Sequence, residues 1–356
     1  MKAWQLDRLG GTLRANDVDL PSARPGTVVV RIEASGLLSY QKAYVAGQLL
    51  HYQPPDHAFT LGTNGIGTIH AVGRDVWHLE VGQRVAISPH IAAHERVAEP
   101  AEFLLGLTAY GPTARRMQAD YPDGTFAEYV RVPAASATPA HGLAALDSAQ
   151  LAVAMRFIVP FGGLLRGRLA AGETVIVTGA TGAFGAAATL LALALGAGRV
   201  IAAGRNRDGL AAVVRAGGSR VVPVALVGEV EADAAALRAA ADGGAELAFD
   251  MVGRATDPNA TLAALRGLRR GGRLVLMGSM ATPLPLDYGT VMINNLEIIG
   301  QFMYPGDAYR RLLELVRTGL LDLRAIAPRV FPLAELPAAL DAAAVAGSLE
   351  CVVVRP

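Results

Sequence analysis

Short apolar runs alternate with Ala- and Leu-rich helical stretches between Glu173 and Met303. The apolar runs are rich in Val and Ile, which is typical of strands buried on both faces of a parallel sheet. Helices between such strands cover the two faces, so the pattern predicts one doubly wound unit with strand order 3-2-1-4-5-6. The six predicted strands are Thr174–Thr178, Arg199–Ala203, Arg220–Val224, Glu246–Met251, Arg273–Met277 and Leu296–Met303.

The residues before position 142 follow a different pattern. Short strands such as Thr27–Ala34 and Gly65–Val72 lie among Gly- and Pro-rich turns, so we expect a compact β-rich domain. Near the end of the chain, an amphipathic helix, Asp307–Thr318, precedes a final strand, Cys351–Val354, which we expect to rejoin the first domain. The prediction is therefore an α/β protein with a β-rich domain of residues 1–142 and 303–356 and a doubly wound domain of residues 143–302.

Charge and composition narrow the range of partners. The 32 Lys and Arg residues nearly balance the 31 Asp and Glu residues and no block of like charges occurs, so we expect neither nucleic acid nor a membrane surface as partner. The longest apolar run, Ala186–Leu195, is shorter than the roughly 20 residues that span a bilayer. The N-terminus lacks an apolar signal core, so we expect a cytoplasmic protein that acts on a small-molecule substrate. The single cysteine, Cys351, excludes a thiolate-rich metal site.

A glycine turn follows the first predicted strand of the doubly wound unit and opens a helix. Its glycines have the spacing G-x-x-G-x-x-G. Glycine lets the backbone approach a pyrophosphate, and the helix N-terminus supplies N–H donors for it. Because a strand precedes the turn and five more strands follow it, the pattern predicts a dinucleotide site and not a simple connection. The candidate residues in this turn are Gly179, Thr181, Gly182, Ala183, Phe184 and Gly185.

The end of the second predicted strand indicates which dinucleotide is bound. Sites that prefer NAD place an Asp or Glu there, which accepts from the ribose and repels a 2′-phosphate. The segment here is Gly204-Arg205-Asn206-Arg207, without an acid. Arg205 can fork onto a phosphate, Asn206 can donate to it and Arg207 adds positive charge, so we predict NADP(H). The alternative is two solvated arginines at a helix N-terminus, which is an unfavourable place for cations.

Loops at the carboxyl ends of the later strands supply further candidate contacts, because open parallel sheets bind ligands at that edge. The glycines in these loops leave room for a nicotinamide ring, although each loop also fits an ordinary strand-ending turn. Beyond the last strand, two aromatic residues are candidates for one side of the pocket. These candidate residues are Val252, Gly253, Gly278, Ser279, Phe302 and Tyr304.

The glycine turn, the strand pattern and the β-rich first domain together resemble the medium-chain dehydrogenase/reductase superfamily over essentially the whole chain. Three further segments are similar to the family: residues 26–36, 123–130 and 271–278. The resemblance implies a GroES-like catalytic domain joined to a Rossmann domain, and an oxidoreductase that uses a nicotinamide dinucleotide. It also implies a homodimer through the last Rossmann strand, because an apolar edge strand needs to be covered.

Zinc-dependent members of this family carry a Cys, a Gly-His-Glu and a third ligand at positions that correspond here to Leu38, to Thr63 with Asn64, and to about Ala154. None of these residues binds zinc as Cys or His would, so we expect no metal. The chain thus resembles the zinc-free quinone oxidoreductases and enone reductases. Without zinc, hydrogen-bond donors must stabilise the negative charge that develops on the substrate. A conjugated acceptor spreads this charge over several atoms, so it needs less stabilisation from the protein. The first hypothesis is NADPH-dependent reduction of a quinone or an activated C=C bond.

Three residues are candidates for that role. Tyr40 corresponds to the family's Ser or Thr proton relay, and its phenol can donate to an oxyanion. Lys42 can lower the pKa of the phenol if the two side chains converge, and Asn64 can donate from its amide. The alternatives are a packed Tyr40 ring without a proton role and a solvent-facing Lys42.

Two other functions stay open. One is a zinc-independent alcohol or aldehyde dehydrogenase that uses Tyr40 in place of the metal. The other is a non-catalytic NADPH-binding sensor protein, because fold and cofactor do not determine function.

Overall fold

The computed structural model describes residues 1–93, 97–253 and 255–356. The first domain is centred on one long strand, Thr27–Gly36, which pairs with strands on both of its edges. The elements of this part of the chain are β1 (Lys2–Leu6), β2 (Leu13–Asp17), β3 (Thr27–Gly36), α1 (Gln41–Val45), β4 (Phe59–Thr60), β5 (Gly65–Val72), β6 (Arg84–Ile87), β7 (His90–Ala92), β8 (Glu102–Leu104), β9 (Thr108–Ala109), α2 (Pro112–Asp120), β10 (Tyr129–Pro133) and β11 (Ala137–Pro139).

The second domain begins with two helices that lead into a parallel sheet. Its elements are α3 (Ser148–Ala152), α4 (Met155–Arg166), β12 (Thr174–Thr178), α5 (Ala183–Ala194), β13 (Arg199–Gly204), α6 (Arg207–Gly217), β14 (Val221–Ala225), α7 (Val230–Ala240), β15 (Ala245–Asp250), α8 (Asn259–Arg266), β16 (Leu268–Leu276), α9 (Tyr288–Ile293) and β17 (Glu297–Gly300). The remaining elements are α10 (Ala308–Arg317), β18 (Ala327–Pro332), α11 (Leu336–Val345) and β19 (Glu350–Arg355).

The parallel sheet has the order β14-β13-β12-β15-β16-β17, which is the expected 3-2-1-4-5-6. Val, Ile, Ala and Leu on its central strands are buried because helices pack on both faces. The α/β fold class, a GroES-like domain plus a Rossmann sheet, is therefore confirmed. The carboxyl ends of β12, β13, β15 and β16 lie along one edge, which brings the predicted cofactor residues to the same side of the sheet.

The last Rossmann strand is shorter than predicted. It ends at Gly300, and Phe302 lies in the following loop. Met303 has a left-handed backbone conformation (φ 51°), which turns the chain away from the sheet. The apolar run continues past the strand because the loop packs between the domains, so composition alone overestimated its length.

The chain returns to the first domain at its end. Strand β19 pairs antiparallel with β3 and parallel with β18, so it extends the sheet that begins with the first domain. The stretch Ser148–Arg166 is long and apolar enough to cross a membrane, but 78% of its most apolar window is buried within the fold. Its apolar character is accounted for by packing between the two domains.

Candidate active site

The glycine turn after β12 is held in contact with its neighbours through backbone atoms. Gly179 has a positive φ of 66°, and a Cβ added there would lie 2.8 Å from the Met251 carbonyl oxygen. A Cβ on Gly185 would lie 2.0 Å from the Gly179 carbonyl oxygen, so only glycine fits. Helix α5 begins at Ala183 without a side-chain cap, which leaves first-turn N–H groups for a phosphate.

The end of β13 exposes the predicted phosphate-binding residues. Arg205, Asn206 and Arg207 are all exposed, and in the described part of the chain neither arginine forms an ion pair with a carboxylate. Asn206 caps α6, because its Oδ1 accepts from the Gly209 amide at 3.1 Å. Only the NH₂ group of its side chain is thus left to donate to a ligand.

The loops after β15 and β16 lie side by side. Gly253 and Ser279 pair through a parallel bridge, and the Ser279 amide donates to the Val252 carbonyl at 3.1 Å. A Cβ on Gly278 would lie 2.3 Å from the same carbonyl oxygen, so the close contact requires glycine. The structure therefore brings the four predicted loop residues together beside the glycine turn.

The carboxyl group of Asp250 is buried next to these loops, and the sequence did not predict it as part of the site. Asp250 ends β15, and its Oδ1 accepts from the Thr178 hydroxyl at 2.5 Å and from the Val252 amide at 3.3 Å. Burial raises the pKa of Asp250 above its ordinary value, although these donors oppose the shift. An acid directly after the apolar run Leu247–Phe249 was the available signal. Asp250 fixes the ends of two neighbouring strands at the cofactor edge.

In the first domain, a network of uncharged polar groups occupies the predicted catalytic position. Asn64 is buried, and its main-chain carbonyl oxygen accepts from Ser35 Oγ at 2.6 Å and from Thr125 Oγ1 at 2.8 Å. The Asn64 amide donates to Thr63 Oγ1 at 2.9 Å. One of its two N–H donors is therefore used within the protein, and the other is left for a ligand.

The residues at the zinc positions of the family do not fit a zinc ion. Leu38 and Ala154 are buried and apolar, and the Thr63 hydroxyl already accepts from Asn64. Next to Ala154, the Met155 thioether packs so closely on Gly36 that a Cβ there would lie 2.1 Å from its sulfur. Thiolate, imidazole and carboxylate are the usual zinc ligands, and these positions offer none of them. Among residues 1–93, 97–253 and 255–356, no group of three or more His, Cys, Asp or Glu side chains is placed to hold a metal.

Tyr40 lies between the apolar cores of the two domains, at the start of α1. Its ring stacks on that of Tyr52 with centroids 5.9 Å apart, and Tyr44 meets Tyr52 edge-on at 5.4 Å. Burial raises the pKa of Tyr40 well above its ordinary value, and the nearby Tyr52 phenol adds to the shift. Tyr40 is therefore a neutral phenol at neutral pH, and its O–H group is a hydrogen-bond donor.

The structure does not bring Lys42 to Tyr40. The Lys42 ammonium pairs with Asp341 on α11, with Nζ and Oδ1 2.8 Å apart, and 59% of the lysine side chain is exposed. Successive residues of a helix point in different directions, so Lys42 faces solvent while Gln41 faces inward. This corrects the predicted role of Lys42 and leaves the surface alternative in its place.

The two aromatic residues after β17 have different surroundings. Phe302 is half exposed and lines a cavity of about 320 Å³ together with Tyr110 and helix α2. Tyr304 is buried, and its hydroxyl lies 3.0 Å from Ser88 Oγ. Tyr304 thus packs against Ser88 in the interior of the protein, and the structure does not expose it on one side of a pocket as predicted.

His90 contacts Tyr304 and Glu102. Its Nδ1 lies 3.2 Å from the Tyr304 carbonyl oxygen and its Nε2 lies 2.8 Å from Glu102. The cavity beside Phe302 does not include Tyr40 or Asn64 in its lining, but Tyr110 adjoins both the cavity and the tyrosines around Tyr40.

A β-rich domain joined to a parallel sheet that carries a glycine turn at its carboxyl edge is the architecture of a two-domain oxidoreductase. Comparison with known families agrees: the zinc-binding dehydrogenase model matches residues 183–318, and the alcohol dehydrogenase GroES-like domain model matches residues 24–142. The chain belongs to the medium-chain dehydrogenase/reductase superfamily and is an NAD(P)-dependent oxidoreductase.

Among its relatives is the sorbitol dehydrogenase of Bacillus subtilis, 24% identical over 93% of this chain and 90% of that protein. The L-threonine 3-dehydrogenase of Pectobacterium atrosepticum is 28% identical over 79% of this chain and 74% of that protein. An alcohol dehydrogenase of E. coli CFT073, solved with NADH, has the same fold, with a TM-score of 0.82 at 19% identity over 100% of this chain and 99% of that chain. These names do not support the expected place among quinone and enone reductases.

Proposed function

We propose that this protein interconverts an alcohol and its carbonyl compound with NADP(H), using Tyr40 and Asn64 where zinc-dependent relatives hold the metal. The relatives named as sorbitol and threonine dehydrogenases support an alcohol substrate in preference to a quinone. The observation that carries the proposal is the buried, uncharged network of Thr63 and Asn64 at the zinc-ligand positions, with a neutral Tyr40 phenol in the same loop region as Leu38.

The residues present fit a nicotinamide dinucleotide. The first turn of α5 and the glycine turn would hold the pyrophosphate, and Arg205 and Arg207 would hold a 2′-phosphate. When bound, the cofactor supplies or removes the hydride. In carbonyl reduction, Tyr40 gives its proton to the substrate oxygen, and the free N–H of Asn64 donates to the same developing oxyanion. The low-dielectric surroundings strengthen both hydrogen bonds.

The test measures steady-state turnover with alcohols, carbonyl compounds, a quinone and an enone. The purified protein is first dialysed against a chelator, and its metal content is measured. We expect NADP⁺-dependent oxidation of a polyol or secondary alcohol without stoichiometric zinc. Tyr40→Phe should lower kcat by about 100-fold or more, since a general acid contributes about 10²–10⁴. The matched control is Tyr44→Phe, which removes a hydroxyl that donates to the Leu107 carbonyl.

Three results would overturn this proposal. Turnover that requires one equivalent of zinc contradicts the metal-free site. Faster NADPH oxidation with a quinone or an enone than with any carbonyl compound restores the first hypothesis. Tight NADPH binding without turnover across the panel favours the sensor protein.

We also propose that a second copy of the chain covers the edge strand β17. The neighbouring helix α9 exposes large apolar side chains, including Tyr288, Met292 and Ile293. An apolar edge of this kind needs a partner. Ultracentrifugation should find a dimer, and Ile293→Asp should shift it towards monomer; a monomeric wild-type protein would contradict the assignment.

A further inference from the structure

A carboxylate that an imidazole holds in place lines the cavity of about 320 Å³ beside Phe302. The carboxylate belongs to Glu102 on β8, and its Oε2 lies 2.8 Å from His90 Nε2. The His90 side chain is 10% exposed, and its Nδ1 lies 3.2 Å from the Tyr304 carbonyl oxygen. A carbonyl oxygen and an ionised carboxylate only accept hydrogen bonds, so His90 makes both contacts as the doubly protonated imidazolium. These two contacts hold Glu102 at the wall of the cavity.

Glu102 keeps part of its capacity to accept hydrogen bonds. A carboxylate has two oxygens with about four lone-pair sites, and the contact with His90 uses one of them. Oε1 of Glu102 accepts no hydrogen bond from the residues that the structure describes, and 45% of the side chain is exposed. This oxygen is therefore available to a hydroxyl or ammonium group of a ligand in the cavity.

Aromatic rings form part of the remaining wall. Tyr110 and Phe302 both line the cavity, with 46% and 49% of their surface exposed. Such rings pack on the carbon chain of a small ligand, and their faces also attract a cation. The lining residues that the structure describes include no Lys, Arg or His. A cationic partner for Glu102 on the cavity side therefore has to come from a ligand.

Strand β9 connects this cavity to the region of Tyr40. Thr108 on β9 lines the cavity, and its Oγ1 accepts from the Gln53 amide at 2.8 Å. Gln53 directly follows Tyr52, whose ring stacks on that of Tyr40 with centroids 5.9 Å apart. A substrate that reacts at Tyr40 thus has this cavity beside it.

We propose that Glu102 binds the end of the substrate that does not react, so the enzyme selects alcohols that carry a second hydrogen-bond donor, a hydroxyl or an ammonium group. This inference rests on the function proposed above, because it assigns the substrate of that reaction. Glu102 accepts from the second donor, and His90 acts through Glu102 as a positioning residue. A plain alcohol of the same length fills the same space but leaves the Glu102 carboxylate without a partner from the substrate.

The experiment compares three alcohols that share a carbon chain and a reacting secondary hydroxyl. They are 2-pentanol, 1,4-pentanediol and 5-amino-2-pentanol, and the last two place a hydroxyl or an ammonium group at the same far carbon. The wild-type kcat/KM should be about 10-fold higher for at least one of these two than for 2-pentanol, which is the lower end expected for a hydrogen bond to a charged group. The diol and the amino alcohol together show which donor Glu102 prefers.

Glu102→Leu should abolish this preference through KM, with kinetic constants for 2-pentanol within two-fold of wild type. Glu102→Gln should restore part of the preference for the diol, because the amide oxygen still accepts a hydrogen bond. The matched control is Glu314→Leu, which removes a carboxylate of similar exposure, 53%, that pairs with Arg317 on α10 outside the cavity lining. This control should keep the wild-type preference.

A second variant tests the part played by His90. His90→Phe keeps an aromatic ring beside Phe302 and Tyr304 but removes both N–H donors. It should raise KM for the preferred alcohol several-fold and leave 2-pentanol within two-fold of wild type, whereas a purely structural role would slow all three alcohols alike. The double variant with Glu102→Leu should be no worse than Glu102→Leu alone.

Two results would overturn the inference and leave the proposed function intact. One is a wild-type protein that oxidises the three alcohols with equal kcat/KM. The other is a Glu102→Leu protein that keeps the wild-type preference. Absence of turnover with every alcohol would instead overturn the proposed function, and the assignment of Glu102 with it.

Discussion

Replacing Arg205 by Ala should weaken NADPH binding while leaving NADH binding unchanged. Arg205 is exposed at the end of β13, and the described structure pairs it with no carboxylate, so its guanidinium is available to a 2′-phosphate. A hydrogen bond to a charged group contributes about 1.5–3 kcal/mol. Because Arg205 is exposed to solvent, we take the lower half of this range, about 1.5–2 kcal/mol, which is about a 10- to 30-fold rise in Kd.

The assay is calorimetric titration of both dinucleotides at two salt concentrations. Raising the ionic strength from about 0.1 M to 1 M shortens the Debye length from about 10 Å to about 3 Å, so the NADPH preference should shrink in wild type. The control is Arg215→Ala, which removes an exposed cation from the last turn of α6, the helix that begins two residues after Arg205. Equal losses for NADH and NADPH, or no loss at all, would refute the assignment of Arg205 to the phosphate.

Three further outcomes are expected from urea and thermal unfolding combined with cofactor titration. Gly185→Ala places a Cβ against the Gly179 carbonyl and should weaken NADPH binding by 10-fold or more, whereas unchanged binding would contradict the tight turn. Burial raises the pKa of the Asp250 carboxyl group. The free energy that this group contributes to stability is therefore fully present below its ordinary pKa and is lost as the pH rises through the raised value. Asp250→Asn should therefore be at least as stable as wild type at pH 8, and a large loss there would contradict this. Burial would raise the pKa of Glu33, but hydrogen bonds from Ser148 and Thr68 and the charges of Arg84 and Arg31 together lower it. The contribution of Glu33 to stability is therefore present above its ordinary pKa and is lost as the pH falls through the lowered value. Glu33→Gln should cost about 1 kcal/mol at pH 7 after allowance for screening, and the cost should vanish in acid.

The pattern of apolar runs was enough to predict the Rossmann sheet and its strand order. Burial on both faces requires continuous Val- and Ile-rich strands, and the right-handed crossover leaves few ways to connect them. The glycine turn was equally visible, because the close approach of Gly185 to Gly179 excludes every other side chain. A local requirement of this kind can be recognised in the sequence, because the glycine occurs at the position where the close backbone contact forms.

Contacts between distant segments were decided by the tertiary structure. Lys42 and Tyr40 are two positions apart, but the helix turns Lys42 towards Asp341, almost three hundred residues away. Tyr52 stacks on Tyr40 only because the loop after α1 folds back. Asp250 accepts a hydrogen bond from Thr178 only because β15 pairs with β12. The sequence by itself determined the elements and the cofactor edge, since these depend on local periodicity and on glycine. Folding decided which side chains meet around Tyr40 and Asn64, because side-chain direction and long-range packing leave no periodic signal in the chain.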